Sequence, residues 1–533
     1  MTTAAQLLRQ GRKQDIWEKY CGFLDLSTAE FMTIQERLLL EQISKVSASE
    51  LGKRLLNGSV PKDLDEFRAR VPLSTYQDYR DHFDCQQEDG LSQKTHLWAH
   101  TSGRSGKMKW IPYTYEAYQK LGERVLAGVL LAAAREKGEV HIAEGDALLY
   151  NTPPRPYISG VALRAVADQF DFRFLPPLEI TEELEFQERI EMGFNMAMKS
   201  GVDILGSLAV VLVKMGERFE EGANTQGFSW EMLYPKTLYR LLRAYLTSKI
   251  QGRNILPKDL WRVKAIPSGG MDTSIYRERI KHYWGIYPHE QYGSTEEGSI
   301  ATQTWTKDKY TFFPDAAFLE FVPVEEWDKL GGSNGQIPQT RLMDEVEVDK
   351  PYELVITNYY QKPLIRYRTN DIIKFTSLED GYTGIKLPQM AFVGRSNDLI
   401  DLAGFTGIMD EKMIWQAILG TGIKFEEWLV RKEVNGTHPI LHIYIELISP
   451  VEKPVVWEKI HQNLKKLNPY YGDYEQFIKI NPLKVTLLNR GTYQAYMRTM
   501  YEAGADLAHL KPPHMNASIE IVEKILELSR SQA

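Results

Sequence analysis

The chain has 533 residues, 43% hydrophobic and 25% charged, which excludes wholesale disorder and calls for about two to four domains. Its formal net charge is −7 at pH 7, and with no dense Lys/Arg block a nucleic-acid partner is not expected. Two cysteines, Cys21 and Cys85, are too few for a disulfide framework and lack metal-ligand spacing.

The first twenty residues, "MTTAAQLLRQGRKQDIWEKY", lack the continuous apolar core of a signal peptide. The longest apolar runs, "VLAGVLLAAA" near 125–134 and "ILGSLAVVLVKM" near 204–215, fall short of the ~20 residues that span a bilayer. A soluble, cytoplasmic protein without a membrane span is the expectation. Apolar spacing over 28–46 predicts an amphipathic helix. "PLSTYQDYRDHF" predicts a short helix capped by Ser74 or Thr75. "THLWAH" and "MKWIPYT" read as two strands flanking a loop, and "DALLYNTP" (146–153) as another strand within an α/β alternation over 115–260. "VKAIPSGG" (263–270) predicts a buried strand ending in glycines, followed by a helix "SIYRERIKHYWG". "HEQYGSTEEGSIA" reads as a strand entering a turn, "AAFLEFVPVE", "YELVITNYY" and "DIIKFTSL" as strands, and "GGSNGQIP" (331–338) as a loop. After "FVGRSND" (392–398) the pattern changes to strand "HPILHIYIEL", helix, strand "LKVTLLN" and a helix from Thr492 to Tyr501. That is an α+β unit of roughly 100–140 residues, an ordinary domain size.

Four motifs carry chemistry. "TSGRSGKMK" (101–109) sets glycines, hydroxyls and Lys107 and Lys109 between two strands, where backbone N–H groups can turn toward an anion. It is not a Walker loop, which needs a longer glycine spacing and Ser or Thr after the lysine. "YGSTE" (292–296) puts a hydroxyl beside a carboxylate at a strand end, a combination suited to Mg²⁺ and phosphate; Tyr292 offers a ring for a base. Asp371 in "YRTND" has two acceptor oxygens suited to a ribose diol, or it simply pairs with Arg366 or Arg368. Arg395 in "GRSNDLIDLAG" could meet phosphate or ribose. Taken alone, the first also reads as a solvated basic hairpin, "YGSTE" as a turn, and "GRSNDLIDLAG" as a loop followed by a strand.

Their order resembles the adenylate-forming superfamily of acyl-CoA synthetases, luciferases and peptide-synthetase adenylation domains. The first loop follows that superfamily's [ST]SG[TS]TGxPK pattern with Arg104 and Met108 as departures, and "YGSTE" matches YGxTE throughout. "RGTYQAYMRTMYEAGADLAHLKPPHM" (490–515), "YELVITNYYQKPLIRYRTNDII" and "VPLSTYQDYRDHF" are similar to a narrower group within it, the Gretchen Hagen family of acyl acid amido synthetases of the auxin-conjugating type. The resemblance covers almost the whole chain.

It implies an α/β fold: a large N-terminal adenylate-forming domain of mixed β-sheets flanked by helices over 1–394, and a small mobile α+β C-terminal domain over 395–533. It implies ATP and Mg²⁺ as cofactors and activation of a small carboxylic acid as an acyl-adenylate. Transfer would go to an amine, commonly an amino acid, with coenzyme A or a carrier thiol as the alternative acceptor. A catalytically silent acyl- or nucleotide-binding homologue is a minor alternative.

Residue by residue, Thr101, Ser102, Gly103, Arg104, Ser105, Gly106 and Lys109 would belong to the phosphate loop. Gly269 and Gly270 would let the chain approach adenine. Tyr292, Gly293 and Ser294 would line the nucleotide, Thr295 would contact the α-phosphate and Glu296 would hold the metal. Asp371 would take the ribose hydroxyls and Arg395 would orient the nucleotide. Lys511 in "HLKPP" would be the catalytic cation. The acyl pocket would lie near 155–165 and 205–215. Departures from the family are Arg104, Asn370 in place of a glycine, Asn397, Asp401, and His514 in place of an arginine.

Overall fold

The computed structural model describes residues 3–101, 109–184, 186–221, 234–269, 273–326, 337–396, 400, 402, 409–435, 438–468, 471, 472, 475, 481–502 and 514–532. The chain divides into two compact units. One comprises Met1–Gly103, Lys107–Thr369 and Ile373–Phe392; the other comprises Arg104–Gly106, Asn370–Ile372 and Val393–Ala533.

The first unit begins with helices whose ends are fixed by local chemistry. The predicted helix is Thr28–Val46, closed by a capping box in which the Ser27 N–H donates to the Glu30 carboxylate at 2.8 Å. Its buried face, Phe31, Leu39, Ile43 and Val46, recurs at helical spacing. "STYQDY" is a 3-10 turn, Tyr76–Asp78, rather than a full helix, with the Thr75 N–H donating to Asp78 at 2.7 Å; a short α-helix, Arg80–Phe83, follows it. The apolar run near 125–134 lies in helix Tyr115–Ala133, capped by Thr114 and buried along most of its length. Gly122 lets this helix meet helix Ile158–Ala167 closely, since a Cβ there would lie 2.3 Å from the Ala165 carbonyl oxygen.

The two strands expected to flank the glycine-rich loop are β1 (Leu97–His100) and β2 (Trp110–Tyr113), and they pair antiparallel. The following strands are β3 (Ala147–Tyr150), β4 (Arg173–Leu175), β5 (Ile204–Leu208), β6 (Pro267–Gly269), β7 (His289–Ser294), β8 (Gly298–Gln303), β9 (Tyr310–Phe312), β10 (Ala317–Pro323), β11 (Pro351–Asn358), β12 (Tyr367–Ser377) and β13 (Gln389–Arg395). They make an 11-stranded sheet in the order β10-β11-β12-β13-β9-β8-β7-β6-β5-β3-β4. The pairs β3–β4, β3–β5, β5–β6 and β6–β7 are parallel, and β7–β8, β8–β9, β9–β13 and β10–β11 are antiparallel. The strand expected over 263–270 shrinks to three residues, and Pro267 at its start has no N–H to give a ladder. "YRTND" forms the first residues of β12.

In the parallel half, helices such as Phe186–Ser200 and Thr273–Trp284 connect one strand to the next. The carboxyl ends of β3, β5, β6 and β7 fall at Tyr150, Leu208, Gly269 and Ser294. In open parallel sheets, ligands bind beyond these ends.

The second unit contains β14 (Phe425–Asn435), β15 (His438–Leu447) and β16 (Leu483–Leu488), in the order β14-β15-β16. The predicted strand at 438–447 is β15. β14 was not anticipated, and it pairs with β15 along the longest antiparallel register of the chain's described residues. A separate core of Leu429, Tyr444, Leu488, Tyr493, Val522 and Ile525 packs this unit. Among the described residues no helix is long and apolar enough to cross a membrane.

Candidate active site

The turn from β7 into β8 carries Thr295, Glu296 and Glu297, all buried. Gly293 is required at its entry, because a Cβ there would lie 1.9 Å from the Gly298 carbonyl oxygen. Ser294 Oγ sits 2.8 Å from Glu296 Oε2 and 2.6 Å from Glu297 Oε2; its single hydroxyl proton serves one carboxylate at a time. The other Glu296 oxygen, Oε1, accepts from the Tyr367 hydroxyl at 3.3 Å and faces Lys109 Nζ at 3.5 Å.

The turn's backbone is held from beneath. The Thr295 carbonyl accepts from the Tyr113 hydroxyl at 2.8 Å. The Glu296 carbonyl accepts from Lys362 Nζ at 2.8 Å and from Asn358 Nδ2 at 3.2 Å. Lys362 is buried, with its ammonium 3.7 Å from the centre of the Tyr113 ring. Burial pushes its pKa down to about 7, against the pull of Glu297 and Glu296. Sequence reasoning missed Lys362, Asn358, Tyr113 and Tyr367.

The base of the glycine-rich loop is closed by the Thr101 N–H donating to the Lys109 carbonyl at 3.0 Å, and the Lys109 N–H donating to Thr101 Oγ1 at 3.1 Å. Lys109 thereby projects toward Glu296, with Tyr76 at 5.4 Å beneath its ammonium. Tyr76 belongs to "VPLSTYQDYRDHF", which is stitched to "IRYR": the Ser74 N–H donates to the Arg366 carbonyl, and the Arg368 N–H donates to the Ser74 carbonyl, both at 2.9 Å. Two motifs nearly 300 residues apart are thus one structural piece.

Thr101, Lys109, Ser294, Thr295 and Glu296 therefore belong to one described cluster. Tyr292 is buried, its ring 5.7 Å from Phe392 and 6.4 Å from Tyr310. Gly269 ends β6. Asp371 pairs with neither Arg366 nor Arg368. Arg366 forms a buried fork with Glu320 at 2.8 and 2.9 Å, and Arg368 a fork with Glu353 at 2.8 and 2.9 Å. Asp371 is buried and accepts from Arg395 Nε at 3.3 Å. Asn370, where the family has glycine, has φ 62°, and asparagine is the side chain that best tolerates this left-handed conformation. Ser102, Gly103, Arg104, Ser105, Gly106, Gly270, Asn397, Asp401 and Lys511 lie outside the described residues.

Among the described residues no group of three or more His, Cys, Asp or Glu could hold a metal. Mg²⁺ with a nucleotide needs no such cage, because one or two carboxylates share it with phosphate oxygens and water. Glu296, with a hydroxyl on one oxygen and a cation beside the other, fits that requirement.

Three regions of the chain match one family. The GH3 family N-terminal domain matches residues 21–160, the central domain 310–395 and the C-terminal domain 413–520. The chain belongs to the GH3 family. An indole-3-acetic acid-amido synthetase, GH3.4 of Arabidopsis thaliana, is 27% identical over 96% of this chain and 93% of its own. The AtGH3.15 acyl acid amido synthetase in complex with 2,4-DB superimposes with a TM-score of 0.66, at 18% identity over 96% of this chain and 95% of the other. A 2-hydroxyisobutyryl-CoA ligase in the postadenylation state gives 0.61, at 13% identity over 95% and 93%. The α/β fold with a smaller C-terminal domain, shared with these structures, is thus the fold of this GH3 chain.

Proposed function

We propose that this GH3 protein uses ATP and Mg²⁺ to activate a small carboxylic acid and passes the acyl group to an amine, most simply that of an amino acid. In the first step a carboxylate oxygen attacks the α-phosphorus, the bond to the β-phosphate breaks, and pyrophosphate leaves. In the second, the amine nitrogen attacks the acyl carbon, loses a proton, and AMP departs. The observation that carries this reading is the Ser294–Glu297 turn with Lys109 facing it, at the carboxyl end of β7, in a chain of this family.

The barrier of the first step lies in alignment and charge, since phosphoryl chemistry asks little covalent work of the protein. Glu296 would hold Mg²⁺, which supplies neutralisation of the phosphate charge. Thr295 contacts the α-phosphate. Lys109 leaves Glu296 for phosphate when nucleotide enters, along with Thr101, Ser102, Gly103, Arg104, Ser105 and Gly106 of the same loop. Gly269 and Gly270 allow adenine close to the backbone, flanked by Tyr292, Gly293 and Ser294. Asp371 accepts from the ribose hydroxyls, and Arg395 orients the nucleotide.

Lys511, in a C-terminal domain over 395–533, bridges the carboxylate and α-phosphate, a role suited to a point charge on a flexible stem. The acid lies toward the ends of β3 and β5. A small cavity there is lined by Leu149, Asn151, Phe194, Leu205, Ser207 and Met215.

ATP–pyrophosphate exchange over a panel of aromatic and aliphatic acids tests the first step. AMP release with amino acids against coenzyme A tests the second. Lys511→Ala is expected to lower exchange by about 100-fold or more while leaving the far-ultraviolet circular dichroism unchanged, and near-normal exchange would refute the role. Arg104→Thr with an unchanged KM for ATP would show that Arg104 is no pyrophosphate clamp.

A further inference from the structure

His514 stands three residues after Lys511 in the sequence. Backbone and side chain both tie His514 down. Its carbonyl accepts from the Val430 N–H at 2.6 Å, and the Asn516 N–H donates to the Val430 carbonyl at 2.8 Å, so Met515 forms an isolated parallel bridge with Val430 of β14. The imidazole is buried between two carboxylates: Nδ1 is 2.5 Å from Glu411 Oε1, and Nε2 is 2.6 Å from Glu427 Oε1. Its ring stacks on Trp428 at 4.5 Å and meets the edge of Trp415 at 5.1 Å.

Both ring nitrogens can donate only in the imidazolium form. A neutral tautomer would aim a lone pair at a carboxylate oxygen. The charged groups around the pair are Glu411, with Asp410 and Lys412 beside it, on helix Glu411–Leu419, and Glu427 on β14. The Tyr493 hydroxyl on the helix Thr492–Glu502 is pushed up by Glu427 and Glu446 as well as by burial. An arginine at this position would be charged at any accessible pH, but histidine is charged only while it holds its second proton.

We propose that His514 is a positioning residue: as an imidazolium clamped by Glu411 and Glu427, it fixes the end of the segment that carries Lys511, so that adenylation depends on a proton at position 514. The proposal rests on the reading of Lys511 given above. Burial alone would lower the pKa of the imidazole, yet the two carboxylates outweigh it and raise it to about 9. The sign follows from that direction. The clamp's contribution is fully present below the ordinary imidazole value near 6.5 and is lost as pH rises through about 9.

The test is ATP–pyrophosphate exchange by the full-length protein from pH 7 to 10, comparing wild type with His514→Arg and His514→Gln. Wild-type exchange is expected to fall at least about fivefold across the alkaline limb, and His514→Arg to hold that loss under about twofold. At pH 7.5 His514→Gln is expected to lose about tenfold in kcat with KM for ATP within about twofold, because it perturbs lysine placement rather than nucleotide binding. Superimposable alkaline limbs in wild type and His514→Arg, or wild-type kcat in His514→Gln, would overturn the proposal. Should the glutamine variant not fold, histidine-selective NMR titration of the wild type decides: an imidazole titrating above about pH 8 supports the clamp, and one below about 7 overturns it. Lys511→Ala separates the two readings. Near-normal exchange there removes the lysine's role and the proposal with it, whereas a large loss there with superimposable pH limbs overturns the proposal alone.

Discussion

At the scale of single residues, the acidic turn depends on groups that never need to touch substrate. Tyr113, Asn358 and Lys362 hold the carbonyls of Thr295 and Glu296. Removing a donor from a buried carbonyl costs about 1–3 kcal/mol, so Tyr113→Phe is expected to lower the urea midpoint and to reduce exchange through a misplaced Glu296. Wild-type exchange in that variant would separate the support from the chemistry. Lys362 also sets a pH dependence opposite in sign to that of His514. Its native pKa of about 7 lies below the ordinary 10.5, so the unfolded chain binds the extra proton between those values and stability rises with pH across that window. Lys362→Met is expected to flatten that rise, read as the difference in urea midpoint from wild type between pH 7 and 10. None of these three supports could be read from the sequence, because each reaches the turn from 60 to nearly 200 residues away. Glu296 itself was legible, since a carboxylate after "YGST" has a local meaning.

At the scale of elements, the sequence was most informative where local chemistry decides the outcome. The capping box of Thr28–Val46, the β1–β2 hairpin and the strands β15 and β16 are dictated by neighbours along the chain. β14 was missed because its charged residues, Glu426, Glu427, Arg431, Lys432 and Glu433, mask its alternation. The irregularity around "YRTND" is confined to single residues: Arg366 and Asn370 have φ 44° and 62°, and the strand continues through Asn370. Asn370 therefore substitutes for the family's glycine at a left-handed position. Asn370→Gly is expected to be nearly neutral. Asn370→Val is expected to cost about 1–2 kcal/mol, measured as a fall in urea midpoint with a parallel loss of nucleotide binding through Asp371. The Arg366–Glu320 fork, buried at 0% and 1% side-chain exposure, explains why the first arginine of "RYR" cannot serve a ligand. Arg366→Met would leave Glu320 uncompensated, at about 3–5 kcal/mol.

At the scale of the whole molecule, the parallel half of the large sheet sets the carboxyl ends of β3, β5, β6 and β7 side by side, and the acidic turn lies at the last of them. The motif order along the chain was legible because each motif is a short contiguous run whose residue types can be read without knowing the fold. The identity of the acid was not legible. In the proposed reading it depends on side chains from β3, β5 and the helices Phe186–Ser200 and Ala209–Glu220, whose sequences read equally well as ordinary core. The same holds for the acceptor, since an amine and a thiol would attack the same acyl carbon.

Adenylation through the Glu296 turn is the step on which every later one depends. The direct measurement is acid-dependent exchange of labelled pyrophosphate into ATP, with wild type and Glu296→Gln compared over one acid panel with Mg²⁺ present. Acid-dependent exchange in the wild type, reduced about 100-fold or more in Glu296→Gln, is the predicted result. Exchange that survives the substitution, or a wild type inactive with every acid in a broad panel, would contradict it.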